Sequence, residues 1–414
     1  MIQNKTLYSL SPCESYLASA MKEKLIVHQV QDTLQLQHYC SWTNCGSIYK
    51  LRWSPDSSKI LISSKGSCQI YSVDDSNWKC TLQGGTLECE DFLWSPDSMS
   101  VIALSANNVC LVVWCLINRA IIKLGTLKPV NSIFKFSPNG SWLSLTEVSS
   151  LGRHVIRVYS CSNWTLVQTI ECEVTNISGL SWVDDGSIAY WDTLFSRKVC
   201  ISLLCGTHIA KFENIPSLEK IDVSVSGGLI AMSNGKEIQI INVPTLRVLG
   251  KAPILQCIDD SVNIVVYREV LNLECVLQYE TVNSRPYVVG KQKHEKEQLI
   301  HKMSFSYDGT FLSTVVSSSL SSVWIWDVKK VAPVCLITFI NNVTDLKWCS
   351  TSNHLAVATG SDSIFIWSPT DSLSHSLEWT NQKAFPGKHL QWSDPGNLLL
   401  VYSKGCYKIL SIFN

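Results

Sequence analysis

The residues of this chain that could do chemistry are its 17 cysteines and nine histidines, since both are common zinc ligands. The sequence has no Cys-x-x-Cys pair, and its histidines lack metal-ligand spacing. Three cysteine pairs share a five-residue offset, and two of them lie in or beside predicted strands, which favours packing: Cys40/Cys45, Cys110/Cys115 and Cys200/Cys205. Gly-x-Ser-x-Gly and phosphate-binding glycine-rich loops are also missing. The sequence therefore predicts no metal, no cofactor and no enzyme.

Two Trp-Asp pairs are a second candidate feature. Trp326-Asp327 ends an apolar stretch, where we expect the indole to pack and the carboxylate to fix the next turn. Trp191-Asp192-Thr193 instead follows Ile188-Ala189-Tyr190, so it lies on the second strand of its repeat unit, whereas Trp326-Asp327 ends the third strand. This phrase either packs between two repeat units or forms part of a surface that recognises a partner. We take Trp191, Asp192 and Thr193 as candidate partner-binding residues, and Asp192→Ala should then weaken partner recovery while changing the melting temperature little.

Composition restricts the kinds of partner. The 414 residues are 46% hydrophobic, and 34 Lys+Arg balance 34 Asp+Glu. Nucleic-acid binders usually carry a basic excess, and steering towards anionic membranes also needs net charge. The first 20 residues contain no signal-peptide core, and the longest apolar run, residues 109–117, is about half of a membrane span. We therefore expect a cytoplasmic protein with reduced thiols that binds other proteins, without nucleic acid or membrane.

A repeated phrase predicts the fold. It consists of an aromatic or apolar residue, then Ser-Pro or a relative, then Asp, Asn or Gly, followed by an apolar strand. The anchor residues are spaced 41–46 residues apart, except for one interval of 80: Leu10, Trp53, Trp94, Phe136, Trp182, Val225, Phe305, Trp348 and Trp392. This spacing is typical of WD repeats, each of which forms one four-stranded blade of a β-propeller. We predict an all-β, WD40-type propeller over residues 1–414.

The number of blades is less determined. Nine anchors favour one large ring of eight or nine blades, and two smaller propellers are the alternative. Residues 252–298 fill the doubled interval without an anchor phrase, although 263–267 and 275–279 look like strands. This atypical segment is either a degenerate blade or an insertion.

Several phrases together resemble the WD repeat-containing protein 8 family, found at centrosomes and fungal spindle poles. They span about residues 77–369 and occur in this order: Trp78-Lys79-Cys80, Trp94-Ser95-Pro96-Asp97, Ala189-Tyr190-Trp191-Asp192-Thr193, Ile264-Val265-Val266-Tyr267-Arg268-Glu269, Val323-Trp324-Ile325-Trp326-Asp327-Val328 and Ile364-Phe365-Ile366-Trp367-Ser368-Pro369. The Trp-Asp-Thr and Ile-Val-Val-Tyr phrases are the most specific, because a generic WD repeat has neither.

The resemblance implies a scaffold that anchors microtubule minus ends at the spindle pole body or centrosome. Its expected partners are a coiled-coil spindle-anchoring protein, a minus-end-directed kinesin-14 and γ-tubulin components of the pole. It supplies no residue-level binding motif. The alternative is a propeller-type translation-initiation factor that binds the ribosome or RNA, which the neutral charge disfavours. A third alternative is an enzyme with carboxylates around a central channel, an arrangement that need not leave a linear motif.

Overall fold

The computed structural model describes residues 6–412 apart from 32–33, 44, 47, 65–66, 84–88, 106–109, 126–132, 150, 214, 216, 225, 235, 256, 261–262, 272–276, 290–298, 371, 377–385 and 404. All regular secondary structure in these residues is β-strand. No helix among them is long and apolar enough to cross a membrane.

The first four blades are antiparallel sheets whose four strands follow chain order. Blade 1 comprises β1 (Leu7–Leu10), β2 (Tyr16–Met21), β3 (Lys24–Val30) and β4 (Leu36–Trp42). Blade 2 comprises β5 (Lys50–Trp53), β6 (Lys59–Ser64), β7 (Ser67–Ser72) and β8 (Lys79–Gln83). Blade 3 comprises β9 (Cys89–Trp94), β10 (Ser100–Ser105), β11 (Leu111–Cys115) and β12 (Ile121–Leu124). Blade 4 comprises β13 (Phe134–Phe136), β14 (Trp142–Val148), β15 (His154–Ser160) and β16 (Leu166–Glu171).

The next two blades and the segment after them follow in sequence. Blade 5 comprises β17 (Gly179–Trp182), β18 (Ser187–Asp192), β19 (Lys198–Leu203) and β20 (His208–Phe212). Blade 6 comprises β21 (Lys220–Ser224), β22 (Leu229–Ser233), β23 (Glu237–Asn242) and β24 (Arg247–Pro253). Four strands then lie between blades 6 and 7 in sequence: β25 (Cys257–Ile258), β26 (Val265–Leu271), β27 (Leu277–Thr281) and β28 (Tyr287–Val288).

Three further blades complete the count. Blade 7 comprises β29 (Ile300–Phe305), β30 (Phe311–Val316), β31 (Ser319–Asp327) and β32 (Ala332–Thr338). Blade 8 comprises β33 (Asp345–Trp348), β34 (Leu355–Ala358), β35 (Ser363–Trp367) and β36 (Ser372–Ser376). Blade 9 has three strands in the described part of the chain, β37 (His389–Trp392), β38 (Leu398–Ser403) and β39 (Cys406–Ser411). The chain is therefore an all-β propeller of nine blades, which confirms the predicted fold class.

The serine of the anchor phrase fixes the turn between the first two strands of a blade. In blade 2, Ser54 Oγ accepts the amide proton of Lys59 at 2.9 Å, and the Asp56 carboxylate accepts that of Ser58 at 3.1 Å. The same serine contact to an amide five residues later occurs in five other blades: Ser11–Tyr16, Ser95–Ser100, Ser137–Trp142, Ser306–Phe311 and Ser393–Leu398. These serines are buried, so the hydroxyl replaces the water that the amide would otherwise bind.

The anchor tryptophans connect neighbouring blades. An indole Nε1–H at the end of the first strand donates to a carbonyl 42–45 residues earlier, in the first strand of the preceding blade. The four pairs are Trp53–Ser9, Trp94–Arg52, Trp348–Ser304 and Trp392–Lys347. Residues that are one repeat length apart in sequence therefore contact each other across neighbouring blades.

The chain divides into two compact units, Met1–Leu180 with Ser202–His208 and Ser393–Asn414, and Ser181–Ile201 with Ile209–Trp392. In the first unit, strands of blades 9 and 1 share an apolar cluster built on Leu10, Leu17 and Leu400. The Glu14 carboxylate beside it accepts the amide and side-chain protons of Asn397 at 3.1 and 3.2 Å, and the hydroxyl proton of Ser393.

In the second unit, residues 252–298 do not separate blades 6 and 7. The Phe305 amide of blade 7 donates to Asp222 of blade 6 at 2.9 Å, so the two blades are direct neighbours. Strand β26 pairs in parallel with β32, and β27 pairs with β26, so blade 7 becomes a six-stranded sheet. Strands β25 and β28 form a separate two-stranded sheet. We call β26 and β27 the wing of blade 7.

Candidate protein-interaction site

Asp192 ends β18, the second strand of blade 5, as the sequence predicted. Its side chain is fully buried. Oδ1 accepts the amide protons of Leu194 and Phe195 at 2.9 and 3.0 Å, and Oδ2 accepts the amide and hydroxyl protons of Ser196 at 2.8 and 2.7 Å. One carboxylate therefore holds the whole turn that leads to β19.

The electrostatics of this carboxylate match its hydrogen bonds. Burial alone would raise the pKa of Asp192, but the hydrogen bonds from the Ser196, Phe195 and Leu194 amides and the Ser196 hydroxyl outweigh burial and lower the pKa to about 2. Asp192 is therefore ionised at neutral pH. Its negative charge is directed into the turn, where a partner cannot reach it.

The side chains that this turn exposes are apolar. Leu194 is 65% exposed and Phe195 is 73% exposed, although their backbone is fixed by Asp192. A large apolar group on an ordered backbone loses little conformational entropy on binding, which is the usual property of an interface anchor. We call Leu194 and Phe195 the apolar pair.

The three sequence-predicted residues have different surroundings. Trp191 is half-buried and packs against the apolar cluster that blades 5 and 6 share, and Asp192 lies in the interior. Thr193 is half-buried at the start of the turn. The partner-recognition role of these residues stays a prediction. The residues that sequence reasoning missed are Leu194 and Phe195, and the available signal was two apolar residues between Thr193 and Ser196 in a turn.

A cleft of about 340 Å³ lies beside this turn, between blades 5 and 6. Phe212, Ile215 and Met232 form its apolar part, and Lys211, Glu213, Glu237 and Lys251 contribute charges. The turn connects to the cleft through the Ile215 amide, which donates to the Arg197 carbonyl at 3.4 Å, and through Lys198, which pairs with Glu213 at 3.1 Å. The segment between the apolar pair and β19 is therefore joined to the edge of the cleft by one backbone hydrogen bond and one ion pair.

The second Trp-Asp pair is structural, as expected. Trp326 is buried on the third strand of blade 7, and its Nε1–H donates to Thr314 Oγ1 at 3.0 Å. Asp327 Oδ1 accepts the amide protons of Lys329 and Lys330 at 2.9 and 3.1 Å. This pair fixes the turn to the outer strand.

The cysteines fit packing better than chemistry. No disulfide joins those that the structure describes, and seven are buried: Cys45, Cys68, Cys110, Cys161, Cys200, Cys335 and Cys349. Burial raises the pKa of the Cys161 thiol to about 12 and that of Cys40 to about 11. Across the described ranges, no group of three or more His, Cys, Asp or Glu side chains could hold a metal ion.

Comparisons with known proteins agree with this architecture. The chain is 24% identical to the WD repeat-containing protein WRAP73 of Mus musculus over 431 aligned positions, which cover 96% of this chain and 92% of the relative. No protein-family model matches the chain.

Two solved structures share the fold. The C-terminal WD40 domain of Sif2 superimposes with a TM-score of 0.52 at 13% identity, covering 99% of this chain and 97% of that domain. The dihydro-heme d1 dehydrogenase NirN gives a TM-score of 0.50 at 12% identity, covering 80% of this chain and 66% of that one. Identities this low concern the fold alone. The repeated anchor phrase, the nine blades and these similarities together show a WD40-type β-propeller fold.

Proposed function

We propose that this chain is a non-catalytic scaffold that anchors microtubule minus ends at the spindle pole body or centrosome. In this proposal it acts in the cytoplasm and cytoskeleton with a coiled-coil spindle-anchoring protein, a minus-end-directed kinesin-14 and γ-tubulin components. The observation that carries the scaffold role is the apolar pair, because two large apolar side chains stand exposed on a backbone that a buried carboxylate fixes. The pole-specific role is supported by the resemblance of the phrases between residues 77 and 369.

The apolar pair suits a protein partner better than a small molecule. Leu194 and Phe195 project from a turn, whereas small-molecule sites are concave and enclose their ligand. The neighbouring cleft has both charge signs on its rim, and Glu213 is paired with Lys198 and with Lys211 at 2.8 Å. An exposed apolar anchor near side chains of both charge signs is typical of a protein interface with an apolar centre and a polar edge.

The test uses the full chain, tagged in dividing cells of its source organism. We compare the wild type with Leu194→Ser/Phe195→Ser and with the control Leu151→Ser. Leu151 is 83% exposed and lies in the corresponding turn of blade 4, between β14 and β15. Microscopy measures the signal at the poles, and affinity purification measures the recovery of the coiled-coil protein and the kinesin-14.

We expect the wild type and the Leu151 variant to reach the poles and to recover both partners. Recovery of at least one partner should fall about tenfold in the double variant, since removing two exposed side chains that a partner would bury costs more than 1.4 kcal/mol. A wild-type chain that is absent from the poles and recovers no pole component would contradict the proposal. Salt-resistant recovery of ribosomal subunits would favour the translation-factor alternative.

A further inference from the structure

A cavity of about 610 Å³ lies at one end of the wing, where β26 begins and β27 ends. Its apolar lining consists of Ile264, Val265, Val266 and Val282. Its polar lining consists of Asp260, Asn263, Thr281, Asn283 and Arg285. Small-molecule sites have volumes of roughly 300–1,000 Å³ and combine an apolar wall with a few polar groups. We call this space the wing cavity.

The Arg285 side chain is fixed in the wall of the wing cavity by backbone carbonyls. Its Nη1 donates to the carbonyl oxygens of Val282 and Ser284 at 2.9 and 3.3 Å, and its Nη2 donates to that of Ile264 at 3.1 Å. Arginine has five N–H donors, so at least two remain for a ligand. Because three bonds already hold the guanidinium, a ligand would lose little free energy in ordering it.

The charge of Arg285 is not balanced by a neighbouring carboxylate. Arg285 is half-buried and forms no ion pair within the residues that the structure describes. Arg157, which is also half-buried, pairs with Glu147 at 3.2 Å. Moving a charge out of water without an opposite charge beside it is unfavourable, and a bound anion would offset this cost. The wing cavity therefore favours an anionic ligand.

The other polar side chains of the lining are also available to a ligand. Asn263, Thr281 and Asn283 are exposed, and their side chains form no hydrogen bond with the described part of the chain. Each of them can donate a hydrogen bond to an oxygen atom. Asp260, the single acidic residue in the described lining, would repel an anion with two charges more strongly than one with a single charge.

We propose that the wing cavity binds a small carboxylate with a short aliphatic chain. The carboxylate oxygens would accept the remaining N–H protons of Arg285, since the planar guanidinium matches a planar carboxylate. Asn263 and Asn283 would donate to the same group, and the aliphatic carbons would contact Val265 and Val282. This site goes beyond the proposed scaffold function and does not depend on it.

The test is isothermal titration calorimetry of the full chain at pH 7.5 and constant ionic strength. The probes are butyrate, its uncharged counterpart butyramide, inorganic phosphate and the peptide acetyl-Gly-Glu-Gly-amide. We expect butyrate and the peptide to bind, and butyramide to give no saturable heat. Phosphate should bind about threefold more weakly than butyrate, because of Asp260. The tighter of the two carboxylates shows whether the natural ligand is a free acid or an acidic side chain.

Variants of the lining separate the site from general damage. Asp260→Asn removes the opposing charge and should strengthen butyrate binding about threefold, which a damaged fold would not do. Asp362→Asn, at an exposed position outside the cavity lining, is its control and should bind like the wild type.

Two further variants remove donors. Arg285→Lys should weaken butyrate binding about tenfold, and Asn283→Ala about threefold. Circular dichroism checks that the sheets persist. If Arg285→Lys does not fold, the results for Asp260→Asn and Asn283→Ala still decide.

Three outcomes would overturn the proposal. Neither carboxylate binds, as expected if a carboxylate of this same chain fills the cavity; or butyramide binds as well as butyrate, so that only the apolar wall contributes; or butyrate affinity is unchanged in both Asp260→Asn and Asn283→Ala, so that the ligand binds elsewhere. None of these measurements involves the apolar pair. Failure at the wing cavity would therefore leave the proposed scaffold function intact.

Discussion

The indole Nε1–H of Trp53 lies 3.0 Å from the carbonyl oxygen of Ser9 and joins blade 2 to blade 1. Trp53 is also nearly buried, at 7% exposure. The residue therefore fills the core between the two blades and satisfies a backbone carbonyl of the preceding one. Because Trp94, Trp348 and Trp392 make the same contact, this pair represents a general connection between blades.

Trp53→Phe should destabilise the chain by about 2 kcal/mol, since it removes indole volume and the Nε1–H hydrogen bond to the Ser9 carbonyl. The control is Trp114→Phe, in which the native indole is equally buried at 6% but lies on the third strand of blade 3. Its expected cost is about 1 kcal/mol, because only packing changes. Urea denaturation measures both, and equal losses would show that the hydrogen bond contributes nothing.

Asp192 should make stability dependent on acid pH. Its pKa is about 2 in the folded chain and 3.8 as the ordinary value, so the folded state favours the ionised form. The resulting stabilisation of about 2 kcal/mol is present above pH 4 and is lost as the pH falls towards 2. At pH 7, the free energy of unfolding of Asp192→Asn should be about 2 kcal/mol lower than that of the wild type. It should then decrease less than that of the wild type as the pH falls. If the free energy of unfolding falls equally for the wild type and Asp192→Asn between pH 5 and pH 2, ionised Asp192 does not stabilise the fold.

Burial also changes the expected effect of Asp192→Ala. Removing the carboxylate leaves the amides of Leu194, Phe195 and Ser196 without their acceptor, so the melting temperature should fall by several degrees. Partner recovery of this variant therefore cannot separate binding from stability. The apolar pair can, because exposed side chains contribute little to folding.

The wing of blade 7 should depend on a buried Glu269. Its Oε1 accepts the Tyr279 hydroxyl proton at 2.9 Å, and its Oε2 accepts the Ile340 amide proton at 2.8 Å. Glu269→Gln places an amide donor among these donors and should cost about 2 kcal/mol, with faster hydrogen exchange at Ile340. Glu280→Gln, on the exposed part of β27, is the control and should leave exchange unchanged. If hydrogen exchange at Ile340 is unchanged in both variants, Glu269 does not anchor the wing.

Thiol labelling should divide the cysteines by burial. Hydrogen bonding by Thr207 lowers the pKa of the exposed Cys205 thiol, whereas burial raises the pKa of Cys161 to about 12 and also raises that of Cys335. With iodoacetamide at pH 7.5, Cys205 should therefore react in the native chain, and the other two should react only after unfolding. Peptide mass spectrometry identifies the modified residues. Rapid native labelling of Cys335 would contradict its position in the core.

Much of the fold could be predicted from sequence because the anchor phrase has a local cause. The Ser54 hydroxyl binds an amide five residues later, so the same short phrase recurs wherever that turn recurs. The wing could not be predicted, since the parallel pairing of β26 with β32 uses backbone groups of segments about 70 residues apart. Side-chain patterns do not specify which edge such a strand joins.

The partner-binding role of Trp191, Asp192 and Thr193 stays a prediction. Their burial could not be predicted, because a Trp-Asp pair looks the same in sequence whether its carboxylate faces solvent or the interior. In the folded chain, Asp192 accepts four hydrogen bonds from the turn. The exposure of Leu194 and Phe195 follows from that arrangement.

The bridge from Glu14 to Ser393 and Asn397 has a consequence for the order of folding. The indole contacts between neighbouring blades span 42–45 residues, whereas the Glu14 contacts span 379 and 383. Closing the longer loop costs about 2 kcal/mol more in chain entropy, at about 0.6 kcal/mol for each doubling of length. Sequential neighbours should therefore assemble early, and blades 9 and 1 should meet late. Until then their apolar faces stay exposed to water and to other newly made chains.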